Sequence, residues 1–251
     1  MIDSHCHLNC LTGNLDEIML DAKKAGVKFI LCPGIDPLHF DEIINITNKY
    51  PNVKAGLGLH PNDVNEHEFT TQQLYDAASH PNVIAIGETG LDYYRDNSDP
   101  VAQQRQFISH IEVSKALAKP LIIHARDSHA DILKILQQHK VEKAILHCFT
   151  ASYEIATAAI DLGCMISFSG IITFKNAKDL QNVVSKLDLK HLLIETDAPY
   201  LAPEPYRGKM NQPAYVGLVA QKIAELQKLE TSVVIEQTTS NFLKLFNLSL
   251  D

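Results

Sequence analysis

The sequence contains no run of 18 apolar residues, so nothing in it reads as a membrane-spanning helix. No basic segment leads into an apolar stretch near residue 1, so no secretory signal is expected and the cytoplasm is the expected location. Cysteine is sparse and oddly numbered: Cys6, Cys10, Cys32, Cys148 and Cys164 fit no zinc-finger spacing, and buried free thiols in a reducing compartment are expected. Basic tails and runs of Lys or Arg are also missing, and the formal charge is −8. That excludes a protein held on nucleic acid by a broad electrostatic footprint. It leaves room for an enzyme that takes in one strand end, which needs only a local positive cluster. No G-x-G-x-x-G follows the first strand signal, which argues against a dinucleotide-binding fold.

What is present is ordinary for a globular chain with a large core: 45% hydrophobic and 21% charged residues. Strand signals recur along its length. Ile2–Leu8, Val27–Cys32, Val53–Leu59, Val83–Glu88, Pro120–His124, Ala144–Cys148, Cys164–Phe168 and His191–Glu195 are short runs rich in branched apolar residues. Helical spacing fills the intervals at Leu15–Ala25, Asp41–Lys49, Pro100–Ala118, the stripe Ile132, Leu133 and Leu136, Tyr153–Leu162, the series Val216, Val219, Ala220 and Ile223, and Phe242–Phe246. Strand and helix in alternation imply a parallel sheet with helical crossovers. Eight such units, with no repeat and no composition break, predict an α/β chain folded as one TIM-like (β/α)8 barrel domain over residues 1–251, a monomer or weak oligomer.

Chemistry-bearing residues gather at the ends of those strands. His5 and His7 alternate with Cys6, so on a strand both imidazoles face one way, their Cα atoms about 6.6 Å apart. His-x-His alone is weak, because twelve histidines in a chain of this length produce it by chance about 0.6 times. Glu88, His124, His147 and Asp197 fall at the ends of four other strands. In a parallel barrel those ends share the face that carries active sites. Imidazole and carboxylate donors without thiolate suit zinc, manganese, iron or magnesium, and do not choose among them. Four histidines and two carboxylates exceed one tetrahedral ion and suffice for two, which would lower the pKa of a bridging water and clamp the attacking and leaving oxygens.

The segments I-D-S-H-C-H-L-N, G-E-T-G-L-D-Y-Y, P-L-I-I-H-A-R-D, L-H-C-F, T-F-K-N-A, L-I-E-T-D-A-P-Y-L and P-Y-R-G-K-M-N-Q-P-A-Y-V, spread from Ile2 to Val216, resemble the TatD family of metal-dependent deoxyribonucleases. The resemblance implies a distorted (β/α)8 barrel with His5, His7, Glu88, His124, His147 and Asp197 as ligands of two divalent ions (zinc, magnesium or manganese). It implies that Glu88 bridges the ions and that Asp197 also accepts a proton from the nucleophilic water. It implies DNA as substrate and 3′-to-5′ exonuclease action on single strands. The same two-metal rim serves other ester substrates in the wider superfamily, such as RNA or an aminoacyl-tRNA, and that alternative stays open. By position, Arg126, Lys175 and Arg207 form a local cationic set for phosphate, and His60 is placed to orient water or a phosphate oxygen. Asp92 reads equally as a support for a ligand or as a loop cap. Where the family has a second histidine two residues after His60, this chain has Asn62, and Met210 replaces a common arginine. Tyr93, Tyr94 and Phe174 are candidates for stacking bases.

Overall fold

The computed structural model describes residues 1–65, 69–95 and 98–249. Among these, eight strands alternate with helices: β1 (Ile2–Asp3), α1 (Leu15–Lys24), β2 (Phe29–Gly34), α2 (Phe40–Lys49), β3 (Val53–Leu57), α3 (Thr71–Ala78), β4 (Val83–Asp92), α4 (Pro100–Leu117), β5 (Leu121–Arg126), α5 (His129–Gln138), β6 (Ala144–Leu146), α6 (Tyr153–Asp161), β7 (Cys164–Phe168), α7 (Lys178–Lys186), β8 (Leu192–Ile194), α8 (Val216–Gln227) and α9 (Thr231–Phe246). The sheet order is the chain order, β1 through β8, which makes the fold a TIM-like (β/α)8 arrangement. No helix among the described residues is long and apolar enough to cross a membrane. Cys6, Cys32 and Cys164 are buried, and Cys10 and Cys148 are half-buried.

The chain divides into two compact units. The first comprises Met1–Cys32, Cys148–Thr157 and Ile166–Asp251. In it β7 pairs with β8 in parallel, Ile166 opposite Leu192, and β1 pairs with β2, Ile2 opposite Phe29. The Ser4 N–H donates to the Ile194 carbonyl at 3.0 Å, and the Asp197 N–H to the His5 carbonyl at 2.9 Å, so the chain after β8 lies beside the chain after β1. Outside the strands, α8 buries Val216, Val219, Ala220 and Ile223, the stripe its spacing predicts. On α9, Phe242 is fully buried between Phe29 and Phe246, with ring centroids 5.5 and 4.5 Å away. The buried Asn241 amide donates to the Leu189 and Leu192 carbonyls at 2.9 and 2.8 Å, tying α9 to the start of β8.

The second unit comprises Pro33–His147 and Ala158–Met165 and holds β3 to β6 in parallel. Its ladder is irregular between β3 and β4, at Ala55 and Gly56, and between β4 and β5. The register shifts between Ile86 and Thr89, after which Thr89, Gly90, Leu91 and Asp92 face Ile123, His124, Ala125 and Arg126. Gly90 sits at φ +135°, and a Cβ there would overlap the His124 carbonyl oxygen, so only glycine permits the approach. The residue pattern predicts these strands to end at Glu88 and His124; instead Glu88 stands at the shift inside a strand that runs to Asp92, and β5 continues past His124 to Arg126.

The first strand also differs from its pattern. It pairs regularly only over Ile2–Asp3, returns for a single bridge from Cys6 to Ala198, and enters a 3-10 turn at Leu8–Cys10. Two helices escape the periodicity reading. α3 opens on a capping box, with the Thr70 hydroxyl accepting from the Gln73 N–H at 3.2 Å and the Gln73 side chain from the Thr70 N–H at 2.9 Å. α7 carries the buried stripe Leu180, Val183 and Val184.

Candidate metal centre and active site

In the first unit, the strand ends gather His5, His7 and Asp197. The two Nε2 atoms lie 3.2 Å apart, and the Asp197 Oδ1 is 3.7 Å from His5 Nε2 and 3.6 Å from His7 Nε2. Two donors on one zinc ion, each at about 2.0–2.1 Å, stand about 3.0–3.4 Å apart for right-angled or tetrahedral geometry. The triad is within a few tenths of an ångström of that spacing. Asp197 reaches it from φ +57°, the left-handed region that aspartate tolerates better than most residues.

A buried carboxylate that the residue pattern passes over, Asp3, holds this corner together. It accepts from the Thr196 hydroxyl at 2.6 Å, the Thr196 N–H at 2.9 Å and the His5 N–H at 3.4 Å. Burial pushes its carboxyl up to about 8 against the pull of the Thr196 bonds. Nearby, Glu195 is fully buried and accepts from the Cys148 N–H at 2.8 Å, which fixes the chain just after His147.

In the second unit the donors converge on one oxygen. Glu88 Oε1 lies 3.0 Å from His124 Nδ1, 2.9 Å from His147 Nε2 and 3.5 Å from His60 Nε2. The ligand atoms of His60, Glu88 and His124 all fall within 4.8 Å of one another. Asp92 supplies the support. Its Oδ2 faces His124 Nε2 at 3.1 Å and accepts from the Asn62 amide at 3.2 Å, while its Oδ1 accepts from the Tyr94 and Arg95 N–H groups at 3.0 and 3.1 Å. A carboxylate only accepts, so Nε2 of His124 donates to Asp92, which leaves Nδ1 as the atom turned toward Glu88. A ring nitrogen 3.0 Å from a carboxylate oxygen calls for a proton or a cation between them, and that donor set fits a divalent ion.

Charge in this cluster follows from those contacts. Burial opposes a positive His124 ring, but Asp92 and Glu88 together carry its pKa above the ordinary histidine value. Burial would likewise raise Asp92, but hydrogen bonds from His124, the Arg95 N–H and Asn62 hold it well below the usual carboxylate range. His60 moves the other way: burial lowers its pKa in spite of the Glu88 contact. Gln103 on α4, which sequence pattern does not single out, locks the end of β4 by accepting from the Asp92 N–H at 2.8 Å and donating to the Asp92 carbonyl at 3.0 Å.

The cationic residues are exposed, and two rest on aromatic faces. In the second unit the Arg126 guanidinium lies 3.7 Å over the Tyr94 ring, and in the first Arg207 lies 4.1 Å over Phe174. Stacking uses the face of a guanidinium and leaves its edge N–H groups available. Lys175 follows Phe174 and is exposed. Tyr93 is not on such a shelf, because its hydroxyl donates to Asp131 at 2.9 Å and accepts from Gln104 at 2.8 Å.

Comparison with known proteins places these features. Residues 2–247 match the model of a family described as TatD related DNase. A relative from Escherichia coli K12, named as an uncharacterized metal-dependent hydrolase, YcfH, is 40% identical over 99% of this chain and 96% of its own length. A relative from Escherichia fergusonii named 3′-5′ ssDNA/RNA exonuclease TatD is 31% identical over 93% of each chain. The crystal structure of YJJV, a TatD homologue of Escherichia coli, superposes with a TM-score of 0.94 at 29% identity, covering 99% of this chain and 98% of the other.

Proposed function

The chain belongs to the TatD related DNase family and is a metal-dependent hydrolase acting on ester bonds, and from this we propose that it cleaves phosphodiesters as a 3′-to-5′ exonuclease on single-stranded DNA. The observation that carries the reading is the pair of histidine–carboxylate clusters: His5, His7 and Asp197 in one unit, at the donor spacing of a shared ion, and Glu88 with His124 and His147 in the other, where one carboxylate oxygen meets both ring nitrogens. The polarity and the single-stranded substrate come from the name of the Escherichia fergusonii relative, which covers RNA as well.

In this reading the six residues hold two divalent ions, with zinc, magnesium and manganese all suited to the donors. Bound there, such ions lower the pKa of water and offset the negative charge that builds on a phosphate under attack. The chain's own groups do the rest. Asp197 takes the proton of the attacking water. Arg126, Lys175 and Arg207 bind the non-bridging phosphate oxygens, the two arginines pre-set by their aromatic supports. His60 contacts a phosphate oxygen beside Glu88.

The test is a cleavage assay on single-stranded DNA and RNA labelled at the 3′ or the 5′ end, with chelator, and with each metal restored. Stepwise loss of the 3′ label, abolished by chelator and recovered with metal, is the expected result. An enzyme that leaves both polymers intact with every metal, yet hydrolyses an acylated tRNA, overturns the assignment in favour of a different ester.

A further inference from the structure

We propose that the turn after β3 fixes the tautomer of His60, making it a hydrogen-bond donor to a substrate phosphate oxygen through Nε2–H rather than a metal ligand. The proposal deepens the phosphodiesterase reading and rests on it for the identity of the acceptor.

The argument begins with Pro61. It opens the 3-10 turn Pro61–Asp63 and has no N–H, so the first donor of that turn is the Asn62 N–H. The His60 side chain caps the turn, its Nδ1 lying 3.2 Å from the Asn62 nitrogen. A backbone N–H can only donate, so Nδ1 is the bare nitrogen and the ring proton sits on Nε2. His124 turns its ring the other way. Its Nε2 donates to Asp92, and its Nδ1 faces Glu88 at 3.0 Å.

Asn62 joins the two arrangements. Its backbone N–H caps His60, and its side-chain amide donates to the same Asp92 oxygen that holds His124. Turning that amide round would set an oxygen against the carboxylate, so the orientation is fixed by charge. The rings of His60 and His124 meet edge to face, 4.6 Å between centroids, yet His60 turns Nε2 to the cluster and His124 turns Nδ1. For His60 to ligate through Nε2 its proton would have to move to Nδ1 and break the cap. The Nε2 atom stands 3.5 Å from Glu88 Oε1, beyond the usual 2.7–3.2 Å of a hydrogen bond. That N–H makes only a long contact to the carboxylate, and a phosphate oxygen entering the cluster would be a closer acceptor.

The experiment combines a ring-nitrogen NMR spectrum of the full-length protein with two variants. Long-range nitrogen–proton correlations identify the protonated nitrogen of His60 without metal and with zinc. His60→Asn keeps a cap acceptor but loses the reach to the cluster, whereas His60→Gln restores an amide donor at greater length. The expected result has four parts. The proton of His60 stays on Nε2 with and without zinc. Both variants bind zinc within about twofold of wild type. His60→Asn weakens binding of inorganic phosphate to the zinc-loaded protein by about tenfold, as loss of one charge-assisted hydrogen bond does. His60→Gln recovers part of that loss.

A proton on Nδ1 once zinc is added, or a tenfold fall in zinc affinity in His60→Asn, makes His60 a ligand and overturns the proposal. If wild type cleaves no phosphodiester, the functional reading fails by itself. The phosphate titration then judges the donor: the same tenfold loss sustains it, and unchanged phosphate binding overturns it.

Discussion

At the scale of single residues, the second unit arranges its donors by what each atom can give. Asp92 is buried and accepts four hydrogen bonds, one of them from His124 and one from Asn62. Its effect on a bound ion runs through the His124 tautomer, since a ring that donates at Nε2 has only Nδ1 to offer. Asp92→Asn keeps the shape but presents either a weaker acceptor or an amide donor to that nitrogen. Its metal affinity should fall about 10–100-fold, read by competition with a chromogenic chelator, while the thermal midpoint of the metal-free protein changes little. Glu88→Ala is the sharper case, because one oxygen meets the ring nitrogens of His124 and His147. Metal content and turnover should disappear together. A Glu88→Ala protein that keeps both would remove Glu88 from the ligand set.

At the scale of elements, much of the fold is legible where apolar residues cluster and little of it where backbone geometry decides. The runs V-K-F-I-L-C and P-L-I-I-H announce β2 and β5 because buried parallel strands need branched apolar side chains. α3 is T-Q-Q-L-Y-D-A-A, too short and polar for a periodic stripe, and only its Thr70–Gln73 capping box marks it. The extension of β4 through G-E-T-G-L-D is hidden because Gly87 and Gly90 read as breaks, whereas here they admit the approach of β5. His5 and His7 converge although only Ile2–Asp3 is a regular strand, because hydrogen bonds to the β8 side hold the segment extended. The six donors are legible as histidines and carboxylates at the ends of strand signals, whereas their division into ligand, bridge and proton acceptor is legible only through the motif resemblance. Helix α4 shows a further tie invisible in sequence. His110 is fully buried, accepts from the Leu59 N–H through Nε2 at 2.9 Å, and uses Nδ1 to reach the Gln106 carbonyl at 2.8 Å. Burial lowers its pKa from 6.5 to about 4, more than the Gln106 bond restores. Between those values the unfolded chain binds the proton and the folded chain does not, so stability is full above 6.5 and lost as pH falls toward 4. The loss should reach roughly 2–3 kcal/mol by pH 4.5, measured by urea unfolding against pH 7. His110→Gln keeps an acceptor for Leu59 without the titration, and its pH dependence should be shallower by that amount.

At the scale of the whole molecule, charge decides what kind of grip on a polyanion is available. A net charge of −8 gives no general attraction for nucleic acid, so affinity must come from the few cations beside the donor clusters. In the proposed reading three of them, Arg126, Lys175 and Arg207, bind phosphate; all three are exposed, and the two arginines are stacked on aromatic rings. Binding to a single strand releases about 0.7 counterions per neutralised phosphate, so three contacts give a slope of about −2 for log affinity against log salt. Over a rise from 50 to 200 mM salt that amounts to a loss of about sixteenfold, far less than a protein with a broad basic face would suffer. The measurement is the binding of a labelled, nuclease-resistant single-stranded oligonucleotide to the metal-loaded wild-type protein across that salt range. Arg207→Ala should shift the slope by about +0.7 and weaken binding to all sequences alike, because a phosphate contact carries no base preference. A wild-type slope of −5 or steeper would mean that a larger positive surface forms on binding, and the three-cation account of substrate capture would fall.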